Sequence, residues 1–451
     1  MMISSVMPGL YKTTDRHGVE LEDPKDRQLI HYERYGNGGT RNYTAMAQRI
    51  DVDLRYQPGN PTGEAYAVPR VLLDNTNGAI SVYSDTDSEE LLGLVIKGDA
   101  VWMNVFPQFF DQSSSDPYLA IAKEHFLERS DLTVVPTSSC RTVLDVVSKV
   151  MIKMHCPYLI SRFDRRLGKG TIEHCVSVTR ELKGLLGSGL YPKFAILPDS
   201  IGATFNGERG WGYIVREARP YPLAEDSSER TMIPMFALYG SDVLDPSAPV
   251  LITQMIDRAY ADTETLLDKK TFAKEFVLTE IIFPLVDFFI VAYREKGILL
   301  ELHGQNTLVE VDARGLPTRI VHRDLDDAVD IDLRSKRGLG LEGLYKGQYI
   351  SREDSDKDVG SEQSIVFDKS IGRMNLDKLA ESMELHYGIS RIEIEEATQI
   401  HFESEFPEFR EYFPENLSTV YNYSSEMRPG QYNYYDIVPI KDDKARWRPS
   451  K

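Results

Sequence analysis

Residues 276–293 read FVLTEIIFPLVDFFIVAY, the most apolar stretch of the chain. A run of that length needs either lipid or a thick protein core around it. Glu280, Pro284 and Asp287 interrupt it, and ionisable groups are costly in lipid, so the stretch reads as a buried helix and not a membrane span. Enclosing such a helix takes a large core, and 451 residues suffice for two or three domains.

The composition fits a soluble globular protein, with 41% apolar and 27% charged residues. The formal net charge is −18. Phosphate backbones and anionic membrane surfaces are bound by excess Lys and Arg, so neither nucleic acid nor membrane is expected as a partner. An acidic chain can still bind a small anion if it gathers its cations in one place. Three cysteines, Cys140, Cys156 and Cys175, are odd in number and widely spaced, which points to a reducing compartment without disulfides. The start, MMISSVMPGLYKTTDRHG, lacks a basic flank and long apolar core, so a cytoplasmic protein is expected.

The patterning predicts an α+β fold. AYAVPRVLLDNTNGAISVYS reads as two strands around an Asn-Gly turn, and TDSEELLGLVI as a short helix entering a strand. Residues 116–130 are helical by apolar spacing, and 131–170 are strands between loops. TIEHCVSVTRELKGLLGSG is a helix with Thr171 as candidate N-cap and Gly187 as stop. KFAILPDS and GWGYIVREARPYPL read as strands, and 261–293 as helical. ILLELHGQNTLVEVDARGLPTRIVHRDLDD reads as strand, turn at Arg314-Gly315, strand. RYGNGGTRNYT (34–44) resembles a phosphate-cradling loop only in its glycines and reads as a surface loop. The charged loop 351–364 is the best internal boundary, followed by helices at 376–388 and 393–404 and an aromatic tail.

Three constellations carry chemistry. In the first, TSSCRT supplies hydroxyls with Arg141 and Thr142, Lys153 follows in MIKM, and Arg165 in ISRFDRRL. Strand alternation puts Met151, Lys153 and His155 on one face. A lysine among apolar neighbours is costly unless an anion meets it. Arg141 and Arg165 can complete such a site, because guanidinium groups hold phosphate oxygens bidentately. Surface cations on edge strands are the other reading. The second constellation is ELHGQN, where Glu301 and His303 share a face if the segment is a strand. A hydrogen-bonded core network competes there with a ligand site. The third is VHRDLDDAVDIDL. Arg323 and Asp324 sit at a strand end, where side chains can meet a ligand. Asp326, Asp327, Asp330 and Asp332 read as a solvated acidic loop.

PTSSCRT, a lysine twelve positions after the arginine, ISRFDRRL, GILLELHGQN and RIVHRDL stand in this order. The set resembles the IucA/IucC family, the synthetases that build siderophores independently of non-ribosomal peptide synthetases. The resemblance is firm from about residue 130 to 330. It implies a multi-domain, hand-like fold of thumb, fingers and palm, with mixed and antiparallel sheets and flanking helices. By that comparison 1–130 is a shortened thumb-like region, 131–350 the ATP-binding core, and 351–451 a helical palm region and tail. It implies an ATP-dependent ligase that adenylates a carboxylic acid, citrate or another polycarboxylate among the options, and condenses it with an amine or hydroxyl. Carried over by position, Ser139, Arg141, Thr142, Lys153 and Arg165 would contact ATP phosphates or the reacting carboxylate. His303 and Asn306 would lie beside the α-phosphate and the acid. Glu301 and Asp324 would hold Mg²⁺, with Arg323 close by. A homodimer is expected, with the aromatic tail as one candidate contact.

The sequence departs from the family in its shortened front and in two further places. The family's His-Pro-Trp-Gln motif is absent, with NVFPQFF (Pro107, Gln108) as its candidate remnant, and Cys140 occupies a position that is often apolar in the family. A non-catalytic relative that binds nucleotide or a partner synthetase is therefore the second reading. The family's C-terminal part is often likened to FhuF-type ferric reductases, which need cysteines for an iron–sulfur centre. None occurs after Cys175, so iron reduction is rejected.

Overall fold

The computed structural model describes residues 21, 23–40, 49, 51–57, 65–112, 115–160, 163–353, 358–415, 417, 420–424, 433–438 and 445–450. Strands β1 (Tyr66–Asp74), β2 (Ile80–Ser84), β3 (Ile96–Lys97), β4 (Ala100–Asn104), β5 (Phe126–Pro136), β6 (Thr142–Asp145) and β7 (Val150–Met154) come first. The short ribbon β8 (Cys156–Ile160) and β9 (Phe163–Arg165) follows, then β10 (Phe194–Ile196), β11 (Asp199–Phe205) and β12 (Gly212–Glu217). Next are β13 (Thr231–Pro234), β14 (Ile298–Leu299), β15 (Thr307–Val311), β16 (Pro317–His322), β17 (Ala328–Asp330) and β18 (Tyr349–Ile350).

Nine strands form one sheet in the order β2-β11-β12-β7-β6-β5-β1-β4-β3. β1 and β2 flank the expected turn but do not pair: β2 joins β11 at one edge and β1 lies between β5 and β4. In a flat sheet β12 and β4 would be about 24 Å apart. Yet Tyr213 on β12 donates to the Trp102 carbonyl on β4 at 2.7 Å, so the sheet curls on itself. Val68, Met103, Ile152, Met154 and Trp211 belong to one buried cluster on its inner face.

The outer face carries Met151, Leu144 and Val135, which pack with Leu308 and Val321 of a second, four-stranded sheet, β10-β16-β15-β13. Leu29 and Ile30, from the first helix, Pro24–Tyr35, close the same cluster. A larger core encloses the 276–293 stretch. Helix Lys269–Val277 runs through a wider π turn at Leu278–Ile282 into Phe283–Lys296. The wide turn comes just before Pro284, whose missing N–H an α-helical ladder would otherwise leave as a gap. The run is long and apolar enough to cross a membrane, but 72% of its most apolar window is buried inside the fold. The same core takes in Val359, Phe367, Leu379 and Trp447, so apolar packing continues across the charged stretch at 351–364.

Several local expectations need correction. The helix expected over 116–130 stops at Glu124, because Phe126 and Leu127 enter β5, where they are exposed. Lys169–Leu186 begins before Thr171, with Gly168 at its N-cap. The expected helix over 261–293 is broken between Asp262 and Lys269, and Asp268 caps the second part. The Gly-rich segment is no surface loop: Arg34, Asn37 and Thr40 are buried. Gly38 exchanges two backbone hydrogen bonds with Ser241 at 2.9 and 3.0 Å, so close that a Cβ would lie 2.3 Å from the Ser241 hydroxyl. Residues 41–44 of that segment lie outside the described residues, as do the side chains of the aromatic tail's strands.

Candidate functional site

Lys153 extends the outer face of β7 two residues beyond Met151. Asp324 lies just past the end of β16, three residues beyond Val321. Since Met151 and Val321 share one cluster, the packing of the two sheets brings Lys153 to Asp324, and Lys153 Nζ donates to Asp324 Oδ1. Lys153 is 1% exposed, while the Asp324 side chain is 32% exposed. Burial opposes both charges, but each partner outweighs it for the other. The lysine pKa is raised, and Lys153 and Arg216 hold the Asp324 carboxyl well below its usual range. Asp324 adopts φ +73°, a left-handed conformation that few residues other than Gly tolerate. Such strain persists only where surrounding contacts fix it.

Arg216 was not foreseen. It lies on β12 diagonal to Lys153 and binds Asp199 through Nε at 2.6 Å and Nη2 at 3.1 Å, with Nη2 also 3.1 Å from Asp324 Oδ1. The signal that singled out Lys153, a cation inside an apolar strand, is present in YIVRE as well. His155, by contrast, leaves the Lys153 face. It stacks on Trp211 at 5.4 Å and tilts against Phe109 on the inner side of the sheet, because alternation breaks where β7 gives way to β8.

The loop between β5 and β6 is closed at its base by Thr137, whose backbone N–H and hydroxyl both donate to the Thr142 carbonyl at 3.3 and 2.7 Å. Thr142 lies opposite Lys153 in the ladder. Within the loop the Ser139 hydroxyl accepts from the Arg141 amide at 3.4 Å. Arg141 is half-buried and donates through Nη1 to the Arg165 carbonyl at 3.1 Å. Arg165 is also half-buried, and no ion pair is present on its guanidinium among the described residues. Cys140 is 2% exposed in the same apolar cluster as Cys156, so it packs as the small apolar residue its place calls for.

ELHGQN is not a strand. Two successive tight turns, Leu302 N–H to Leu300 O at 2.9 Å and His303 N–H to Glu301 O at 2.8 Å, compress it before β15 begins. Glu301 and His303 therefore do not share a strand face. His303 Nδ1 accepts from the amides of Gln305 and Asn306 at 3.1 and 3.3 Å. That places the ring proton on Nε2. Burial, partly opposed by Glu301, pushes the imidazole pKa down to about 4, so the ring is a neutral donor at neutral pH. A side chain at Gly304 would have its Cβ 2.6 Å from the Tyr239 hydroxyl and 3.0 Å from Asn375, so the turn requires glycine.

Glu301 Oε1 accepts from Ser370 at 3.4 Å and lies 4.0 Å from Lys369 Nζ. Both partners belong to the wide helical turns Ile365–Leu376, and periodicity did not single them out. Asp327 is 2% exposed and Asp330 1%, which corrects the reading of a solvated loop. Asp327 accepts from the Glu301 amide at 2.8 Å and meets His322 Nε2 at 2.9 Å. Asp330 accepts from Tyr293 at 2.7 Å and caps helix Ile331–Lys336.

Arg323 is 4% exposed. Its Nε and Nη2 donate to the Gln305 carbonyl at 3.0 and 2.8 Å, and Nη1 lies 2.6 Å from Glu33. Its guanidinium is therefore held by protein on every nitrogen. Gln108 of the candidate motif remnant engages the Asp53 amide and the Asp51 carbonyl at 2.9 and 2.7 Å.

A sequence model of the IucA / IucC family matches residues 86–240, and one described as "Ferric iron reductase FhuF-like transporter" matches 278–368. The second stretch contains no cysteine. No curated protein matches the chain by sequence. Among solved structures, the petrobactin biosynthesis protein AsbB from Bacillus anthracis str. Sterne aligns with a TM-score of 0.63 at 15% identity, over 83% of this chain and 67% of its own. The aerobactin synthetase IucC from a hypervirulent pathotype of Klebsiella pneumoniae gives 0.61 at 15% identity, over 81% and 67%. ATP-bound IucA from the same source gives 0.57 at 13% identity, over 78% and 63%. The chain thus spans about two-thirds of the length of these proteins. The comparisons bear out the resemblance read from the residues: the chain is similar to the IucA/IucC family over residues 86–240 and shares the fold of AsbB, IucC and IucA.

Proposed function

We propose that the chain is a cytoplasmic, homodimeric ATP-dependent ligase that adenylates a carboxylic acid and joins it to an amine or hydroxyl, in siderophore or related natural-product synthesis. One observation carries this reading. In a chain of net charge −18, Lys153 and Arg216 converge on Asp324, Arg141 lies near enough to act on the same carboxylate, and Arg141 is tied to the Arg165 backbone. Such a gathering of cations suits a triphosphate together with a carboxylate.

The residues present fit ATP. Arg141 and Arg165 have donors to offer phosphate or carboxylate oxygens, and Ser139 and Thr142 shape the loop that carries them. Lys153 supplies fixed charge behind Asp324. His303, neutral with its proton on Nε2, suits donation to a developing oxyanion and is poorly suited to act as a base. Asn306 is 7% exposed beside it. Glu301 and Asp324 are the candidate Mg²⁺ ligands. Among the described residues no group of three His, Cys, Asp or Glu is placed to hold a metal, so an ion would bind with the nucleotide, whose phosphates supply further oxygens. Magnesium would neutralise phosphate charge there.

In the first half-reaction the acid's carboxylate oxygen bonds to the α-phosphorus as the bond to pyrophosphate breaks. In the second, the amine or hydroxyl bonds to the acyl carbon, AMP leaves and one proton is lost. Holding the two anions in line accounts for much of the rate. The test is AMP and pyrophosphate release with di- and tricarboxylic acids paired with amines, amino acids and hydroxylamines. ATP-dependent release with any pair supports the reading, and neither release nor ATP binding across the panel ends it. ATP binding without turnover, with a stable complex to a partner synthetase, would favour the non-catalytic reading, which the absent His-Pro-Trp-Gln motif supports.

A further inference from the structure

The first helix, Pro24–Tyr35, carries Glu33 on its buried face. Glu33 is 0% exposed, and an unpaired carboxylate at such depth would be strongly disfavoured. It reaches two segments far from it in sequence. Its Oε2 accepts from the Ser138 amide at 2.9 Å. Its Oε1 lies 2.6 Å from Arg323 Nη1, close enough for strong charge pairing but outside hydrogen-bond alignment.

Each contact leads into one of the two site loops. Ser138 adjoins Ser139 in the loop that carries Arg141. Arg323 grips the Gln305 carbonyl twice, and its own amide donates to the Asn306 carbonyl at 2.9 Å. The amides of Gln305 and Asn306 in turn fix His303 Nδ1. A continuous path therefore runs from Ser138 through Glu33, Arg323 and Gln305 to His303.

We propose that Glu33 is a positioning residue that sets the Arg141 loop and the His303 turn relative to one another. It does so without touching substrate. The inference rests on the reading that these two loops form the ligase site. A carboxylate suits the task because its two oxygens serve an amide and a guanidinium at once. Glutamine keeps the length but loses the charge and one acceptor. Aspartate keeps the charge but is too short to hold both partners.

The experiment compares the full chain with Glu33→Gln, Glu33→Asp, Arg323→Gln and Glu33→Gln/Arg323→Gln. Hydrogen exchange is read at amides 137–142 and 303–306 and, as internal reference, in helix Phe283–Lys296, with AMP release measured alongside. Faster exchange at both loops against an unchanged reference is expected in both Glu33 single variants. The expected loss in kcat is on the order of 100-fold for Glu33→Gln, the scale of a small misplacement of reacting groups. Glu33→Asp should lose less, and KM for ATP should move less than kcat. The double variant should lose less than the product of the Glu33→Gln and Arg323→Gln losses, because both act on one path. Unchanged exchange at either loop overturns the proposal, as does faster exchange spread evenly over the reference helix. If Glu33→Gln fails to fold, the Glu33→Asp exchange pattern decides by the same criteria. If the wild-type chain releases no AMP, the ligase reading fails, while the exchange pattern still decides the role of Glu33.

Discussion

Arg216 and Arg323 differ sharply from Arg141 and Arg165. The first pair is buried, with guanidinium groups held by Asp199 and Asp324 in one case and by Glu33 and Gln305 in the other. The second pair is half-buried, and Nη1 of Arg141 donates to the Arg165 carbonyl. Chemically identical side chains thus divide into those that hold the walls and those that can meet a ligand. Burial decides the division, because a desolvated cation must find its partners within the protein.

The largest test of that contrast is Arg216→Ala. It leaves Asp199 and Asp324 without their shared cation, and a loss of roughly 3–5 kcal/mol is expected in denaturant unfolding. Arg141→Ala should change stability by only about 0.5 kcal/mol. Equal losses would break the comparison. Lys153→Ala comes next. Asp324 keeps Arg216, so the fold should survive, while AMP release falls by about 10²–10³-fold through loss of fixed positive charge. Full activity would remove Lys153 from the site. Arg165→Ala and Arg141→Ala should each raise KM for ATP by roughly 10–100-fold, the scale of one charged hydrogen bond, with little change in melting temperature. The smallest effect is the pH response of His303. Its folded pKa of about 4 lies below the ordinary value of 6.5. Between those values the unfolded chain holds more protons, so stability is full above the upper value and falls as pH drops towards the lower. Thermal melts across that window should show the slope, and His303→Gln should flatten it. A titration of AMP release centred near 6.5 and lost in that variant would contradict the neutral-donor role.

Much of the frame was legible before folding. The strands of 131–170, the β15–β16 hairpin and the buried 276–293 helix follow from local patterning, and composition alone set the candidate cations apart. The errors arose where a pattern was extended past its physical limit. Phe126 and Leu127 continue a helical period but leave the helix for an exposed strand. His155 continues the alternation of β7 but sits beyond the strand's last paired residue. Glu301 and His303 are two apart, but successive tight turns replace the strand. The aspartates after Asp324 looked solvated because charge usually is, yet Asp327 and Asp330 each find buried partners.

The sequence by itself singled out candidates for meeting an anion: a lysine in an apolar strand, arginines near hydroxyls, and a polar cluster closing an apolar run. Those are local facts of residue type and spacing, and they were enough to bring out the resemblance to the IucA/IucC family. Only the tertiary structure decided where each group sits and what it meets. The packing of Met151 against Val321 brings Lys153 to Asp324, and the first helix delivers Glu33 between two loops. The backbone turn at 303–306 puts the histidine proton on Nε2. Pairing and burial are long-range properties, so no window of sequence contains them, and they separate a charge that supports the site from one that is available to a ligand.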